Sequence, residues 1–174
     1  MKKIIFFDGD GTLWYPKLTK HTKVPWWVYN TPRTAKNPNR HLILTPTTLS
    51  TIKKLRAKGI ILVILSTNPH PPEEADAILK KKVRHFDLHQ LFDEIHATRP
   101  YPESKGEMML KVLKRRKIPK SKALMVGDKY DWDYRPAKKN GIDAVLMTTD
   151  YEKNHSRWRT SRKIKMIKEV LKYV

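Results

Sequence analysis

The 174-residue chain has no cysteine. That excludes disulfides and thiolate-held metals, so any bound metal must sit on oxygen or imidazole; it also suits a reducing cytoplasm, the expected compartment. No apolar run approaches the roughly 18 residues of a membrane span. Met1-Lys2-Lys3 precedes only a short apolar stretch, Ile4 to Phe7, which reads as a strand rather than a targeting segment. The seven histidines contain no HExxH motif and read as surface or local hydrogen-bonding residues. The most unusual absence is of acid. From Gly11 to Pro72 there is no Asp or Glu, against ten Lys/Arg, at 17, 20, 23, 33, 36, 40, 53, 54, 56 and 58.

The overall charge agrees with that imbalance. A formal net charge of +20 and a pI near 10.1 point to anionic partners: nucleic acid, an acidic membrane surface or phosphorylated substrates. Residues 151–174 add eight Lys/Arg against Glu152 and Glu169. The bland explanation of such runs is a solvated surface, but some sixty residues without acid favour a functional one.

Lys2–Phe7, Ile60–Leu65 and Ala123–Val126 are apolar runs ended by polar clusters, the pattern of buried parallel strands. A weak strand is expected near Glu94–Ala97 and a further strand at Ala144–Met147. Thr45-Pro46 offers an N-cap and a first-turn proline to a helix with Leu49, Ile52 and Leu55 inward, closed by Gly59. A helix over about Pro72–Val83 follows. Ser104 and Glu107 have capping-box spacing before a helix carrying Met109, Val112 and Leu113. Thr160–Tyr173 has the apolar spacing of an amphipathic helix, with Ile164, Ile167, Val170 and Leu171 inward. Residues 14–44 hold four prolines and five aromatics and read as an irregular, functional loop. Strands alternating with helices imply an α/β domain with a doubly wound, mostly parallel sheet.

Three strands end in Asp8/Asp10, Ser66/Thr67 and Asp128. Ligands of open parallel sheets bind outside the carboxyl ends of the strands, so these clusters can converge. Extended backbone puts residues i and i+2 on one side, which lets both Asp8 and Asp10 face one ligand. Two other sites are excluded: a calcium loop starting at Asp8 would need glycine at Leu13 and glutamate at Thr19, and a dinucleotide fingerprint from Gly9 would need glycine at Trp14.

Ile4-Ile5-Phe6-Phe7-Asp8-Gly9-Asp10-Gly11-Thr12 resembles the first motif of the haloacid dehalogenase superfamily. Three more follow in order: Ile60–Leu65 ending in Ser66, Lys105 ahead of the strand at Ala123–Val126, and Gly127-Asp128 with Asp133. The likeness covers roughly residues 1–150 and is greatest to small magnesium-dependent phosphatases. It implies a single Rossmann-like domain over 1–174, with its core in 1–13 and 45–150 and a short Pro-rich cap in 14–44, followed by a basic C-terminal helix at about 160–173.

The resemblance also implies roles. Asp8 would be the nucleophile and form an aspartyl-phosphate. Asp10 would be the general acid and base. Mg²⁺ would be held by Asp8, the Asp10 carbonyl and Asp128, with Asp133 supporting the site. Ser66 and the Thr67 amide would hold phosphate oxygens, and Lys105 would neutralise the phospho-aspartate. Alternatives stay open at three places: Thr67-Asn68 also matches the second motif, Arg99 rivals Lys105, and Asp131 rivals Asp133. The implied activity is hydrolysis of a phosphomonoester; the basic composition admits a nucleic-acid end phosphatase, or an RNA-binding, ribosome-associated module on the same scaffold.

Overall fold

The central strand β1 (Ile4–Phe7) is apolar at every position because both of its faces are covered. Ile5 and Phe7 face one core layer and Ile4 and Phe6 the other. In this computed structural model, which describes residues 1–152, 160 and 162–174, β1 is flanked by β4 (Ile61–Thr67) and β6 (Ala123–Gly127), both parallel to it. Strands β5 (Glu94–Thr98), β7 (Asp143–Met147) and β8 (Lys163–Ile164) complete a parallel sheet in the order β5-β4-β1-β6-β7-β8.

Helices cover both faces. α3 (Thr48–Ala57), α4 (Pro72–His85) and a 3₁₀ helix at Ile167–Tyr173 pack Ile52, Leu55, Leu79, Val83, Ile167 and Val170 against the Ile5/Phe7 side. α5 (Ser104–Arg116) and α6 (Arg135–Lys139) place Met109, Val112, Leu113 and Ala137 against the Ile4/Phe6 side. The fold is the doubly wound α/β architecture expected from the sequence. After β1 the chain builds outward through β4 and β5, then returns to β6 on the other side of β1. The connection therefore reverses at β1/β6, where such sheets bind ligands.

Several local expectations need correcting. Residues 14–44 are less irregular than their prolines suggest. β2 (Trp14–Pro16) pairs antiparallel with β3 (Leu42–Leu44) and closes the segment at its base, around short helices α1 (Trp27–Asn30) and α2 (Pro32–Ala35). Thr45-Pro46 does not cap α3. That helix starts at Thr48, behind Thr47 in a left-handed conformation (φ 69°), which turns Thr48 and Thr51 inward with Ile52 and Leu55 and leaves Leu49 exposed. The Ser104/Glu107 capping box does not form. Ser104 is already helical, and its Oγ accepts instead from the Arg99 amide at 2.7 Å. The helix expected over 160–173 is shorter: Lys163–Ile164 pair with β7 as a strand, and the helical turns run only from Ile167 to Tyr173. Position 161 of that expected helix lies outside the described residues. Ile164, Ile167 and Val170 are buried as foreseen, and Leu171 packs at the edge of the core.

Candidate active site

Asp8 leaves the carboxyl end of β1, its amide donating to Val126 O at 2.9 Å, so the loops after β1 and β6 start side by side. Lys105 enters from the first turn of α5. Its buried ammonium donates to Asp8 Oδ1 and to Asp133 Oδ1, both at 2.5 Å. Asp133 follows β6 on a π turn at Tyr130–Tyr134, and its other oxygen accepts from the Lys129 amide at 2.9 Å. Asp128 completes the group: Asp8, Asp128 and Asp133 offer carboxylate oxygens that all lie within 4.8 Å of one another, and all three are buried.

Three carboxylates against one ammonium is an unbalanced buried charge. Burial pushes the Asp8 carboxyl well above its usual range; Lys105 opposes the shift, and Asp133 and Asp128 add to it. Asp128 is raised to about 6, by burial first and then by the charge of Asp133. Burial disfavours the charged form of Lys105, but Asp133 and Asp8 outweigh it and hold the ammonium protonated. A cation among the acids would remove the imbalance, and hard oxygen donors at this spacing are the set a magnesium-like ion takes. The site is thus able to bind a metal.

Around Asp128, Thr12 Oγ1 donates to Oδ1 at 3.2 Å and the Tyr151 hydroxyl donates to Oδ2 at 2.6 Å. Gly11 permits that approach. Its φ is +88°, and a Cβ there would fall 2.3 Å from the Tyr151 oxygen and 2.6 Å from Asp128 Oδ2. His21 Nε2 contacts Gly11 O at 2.9 Å, which fastens the 14–44 segment to the same loop.

Asp10 points elsewhere. Its carboxylate lies outside the acidic triad and accepts from Trp14 Nε1 at 3.0 Å, from the Tyr29 hydroxyl and from Lys82 Nζ at 2.9 Å. Ser66 is buried at the end of β4 beside the Asp8–Asp10 turn, its Oγ 3.0 Å from where a Cβ on Gly9 would stand. The neighbouring Thr67 hydroxyl instead lies 3.4 Å from Thr98 Oγ1, toward β5. Arg99 is exposed and donates to His70 O, away from Asp8. Asp131 is an exposed ion-pair partner of Arg135. The structure thus gathers Asp8, Lys105, Asp128 and Asp133 at one point, with Asp10 on the adjoining turn and Ser66 at the end of β4 beside it. His85 and His89 are four residues apart, but α4 ends at His85 and both are exposed. An open depression of about 580 Å³ beside the site, lined by Tyr15, Lys20, His21, Thr45, Asp150 and Lys165, contains none of the motif residues.

Sequence reasoning gave no such role to Tyr29, Lys82 or Tyr151, and read Thr12 only as the last residue of the first motif. Of the first three only Lys82 had a signal: it falls seven after Ala75 and three after Leu79, on the buried stripe of α4, hidden in a Lys80-Lys81-Lys82 run that reads as solvated charge.

Residues 15–147 match the model of the haloacid dehalogenase-like hydrolase family; the matched stretch begins after the Asp8–Thr12 turn. No curated protein matches the chain significantly. Solved structures share the fold. A haloacid dehalogenase-like family hydrolase from Streptococcus pneumoniae superposes with a TM-score of 0.71 at 17% identity, over 99% of this chain and 98% of its own. A predicted phosphoglycolate phosphatase from Haemophilus somnus gives 0.69 at 18%, over 99% and 97%. A phospho-aspartyl intermediate analogue of phosphoserine phosphatase gives 0.66 at 18%, over 99% of each chain.

Proposed function

Because the chain belongs to the haloacid dehalogenase-like hydrolases, we propose that it is a phosphatase that hydrolyses a phosphomonoester through an aspartyl-phosphate on Asp8. The observation that carries this reading is the contact of Asp8 with Lys105 inside a buried carboxylate triad at the sheet's switch point. A nucleophilic carboxylate there needs a neighbouring ammonium to tolerate the phosphate's charge. The names of the structural neighbours, a phosphoglycolate and a phosphoserine phosphatase, agree with this chemistry.

In the first step an Asp8 oxygen forms a bond to phosphorus. The bond to the leaving oxygen breaks, and Asp10 gives that oxygen a proton. In the second step Asp10 takes a proton from water as the water oxygen attacks the same phosphorus, and phosphate departs with the Asp8 carboxylate restored. Lys105 stays charged throughout, next to the attacking oxygen. Ser66 Oγ and the Thr67 amide hold the non-bridging oxygens. Asp8, Asp128 and the Asp10 carbonyl would hold Mg²⁺, with Asp133 in support; bound there, the ion would neutralise charge on the transferring phosphoryl group. The test is a panel of sugar phosphates, nucleotides, phosphopeptides and end-phosphorylated oligonucleotides assayed with Mg²⁺. Failure to release phosphate from any of them, with no hydroxylamine-sensitive adduct on rapid quench, would refute the reading.

A second observation favours a polyanionic substrate. Residues 14–44, in this reading a small cap, carry Lys17, Lys20, Lys23, Arg33, Lys36 and Arg40, all exposed and none in an ion pair among the described residues. The segment contains no acid that could neutralise them. Trp26 is 62% exposed within it, a surface on which a base could stack. Six cations without an ion-pair partner among the described residues exceed what one phosphate can use, which suits a nucleic-acid end phosphatase. Tight RNA binding with no turnover would instead favour a binding module on this scaffold.

A further inference from the structure

The three donors on Asp10 come from outside the Asp8–Thr12 turn, and two of them are tied to each other. Trp14 and Tyr29 both donate to Oδ1, Lys82 donates to Oδ2, and Lys82 also donates to the Tyr29 oxygen at 2.5 Å. Lys82, Tyr29 and Asp10 thereby close a ring of hydrogen bonds. The Lys82 ammonium lies 4.5 Å from the Tyr29 ring centre and 5.6 Å from that of Trp14, so aromatic faces shield it from solvent as well. Burial and the nearby Asp10 charge raise the Tyr29 hydroxyl well above its ordinary value, which keeps it a neutral donor.

A buried lysine on the inner stripe of a helix is a poor choice for packing alone. Leucine or methionine would fill the same space beside Leu79 and Val83 without a charge to desolvate. What Lys82 provides is a donor to Asp10. A carboxylate has about four acceptor positions. Two on Oδ1 are taken and one on Oδ2, which leaves a single position, on Oδ2. A freely rotating carboxyl group would present either oxygen in many directions; this one presents one oxygen in one direction.

We infer that Tyr29 and Lys82 are positioning residues for Asp10. They fix the plane of its carboxyl group so that the open position of Oδ2 faces the oxygen that gains or loses the proton. Because Tyr29 belongs to the 14–44 segment and Lys82 to α4, that segment has to dock on the sheet before the proton-transfer group is complete. The inference rests on the acid–base role given to Asp10 above.

The test uses a series of ring-substituted phenyl phosphates, from p-nitrophenyl phosphate, whose leaving group scarcely needs a proton, to phenyl phosphate, which needs one. The quantity read is kcat/KM, which reports phosphoryl transfer to Asp8. Tyr29→Phe and Lys82→Met should each lower it by less than about 10-fold for p-nitrophenyl phosphate and by roughly 100-fold for phenyl phosphate, the scale of a misplaced general acid. Asp10→Asn should show the steepest leaving-group dependence, and Tyr29→Phe added to it should cost nothing more. Tyr29→Phe keeps the ring and removes one oxygen, so it tests the idea even where Lys82→Met does not fold. Equal losses along the series, or losses that simply add to those of Asp10→Asn, would overturn the inference and leave the phosphatase reading standing. If Asp10→Asn itself leaves the leaving-group dependence unchanged, the role of Asp10 is wrong and the clamp falls with it.

Discussion

The carboxyl group of Asp133 occupies the space that a side chain on Gly127 would need: a Cβ there would lie 2.3 Å from Asp133 Cγ and Oδ2. The missing side chain lets Asp133 fold back over the end of β6, accept from the Lys129 amide and meet Lys105. Gly127→Ala should therefore overpack the site, costing about 1–3 kcal/mol and displacing Asp133 from the ammonium. Urea unfolding and turnover measured together check this; a variant with wild-type values in both would show that the turn relaxes freely.

Asp8→Asn should abolish turnover of every phosphomonoester while raising metal-free stability at neutral pH. It removes one of three crowded buried carboxylates, and the one whose ionised form burial disfavours most plainly. A thermal melt and a contamination-controlled assay decide both parts, and substantial residual activity would sink the covalent mechanism.

Lys105→Met should act in the opposite sense on stability. It leaves the triad without its ammonium, and removing one partner of a buried ion pair costs about 3–5 kcal/mol. The loss should be largest at pH 7.5 and smaller at pH 5, where Asp128 protonates. Urea midpoints at the two pH values give the comparison; a pH-independent loss would mean that packing, not charge, is what Lys105 supplies.

The metal should show the same titration. Asp128 has its folded value raised from 3.8 to about 6. The native state thus holds that proton more tightly than the unfolded chain does, so the group favours folding at pH below about 4. That contribution, on the order of 3 kcal/mol, is lost as pH rises through about 6. A divalent ion needs the ionised carboxylate, so Mg²⁺ should raise the Tm clearly at pH 7.5, little at pH 5.5, and not at all in EDTA. Activity should follow, and full turnover in chelator would refute the metal role. Asp128→Ala should abolish the Mg²⁺-dependent rise.

Charge on the 14–44 segment should appear in the salt dependence. For the best substrate, KM is expected to climb steeply with ionic strength, and Lys20→Ala/Lys23→Ala should raise KM at low salt and flatten the slope by about two released ions. A KM that is flat in salt and unmoved by the double variant would reduce these lysines to solvated surface and favour a small phosphorylated metabolite.

The sequence by itself determined where the central strands lie: the apolar runs within Lys2–Phe7, Ile60–Leu65 and Ala123–Val126 have to be buried on both faces, and polar clusters follow them at the carboxyl edge of the sheet. Asp8, Ser66, Lys105, Asp128 and Asp133 were legible because they sit at strand ends or at a fixed interval from one. Helix starts were less so, since Thr47 rather than Thr45 begins α3 through a left-handed backbone that no propensity favours. Only the tertiary structure showed that Lys105 and not Arg99 lies beside Asp8, and that Asp133 and not Asp131 meets Lys105, because both contests turn on which side chain points inward. It alone brought Tyr29, Lys82 and Tyr151 to Asp10 and Asp128 across separations of 19, 72 and 23 residues. Hydrogen bonds between side chains depend on distance in space, and a buried lysine inside a run of lysines, or a tyrosine in a loop rich in aromatics, has no local pattern that distinguishes it until the chain has folded.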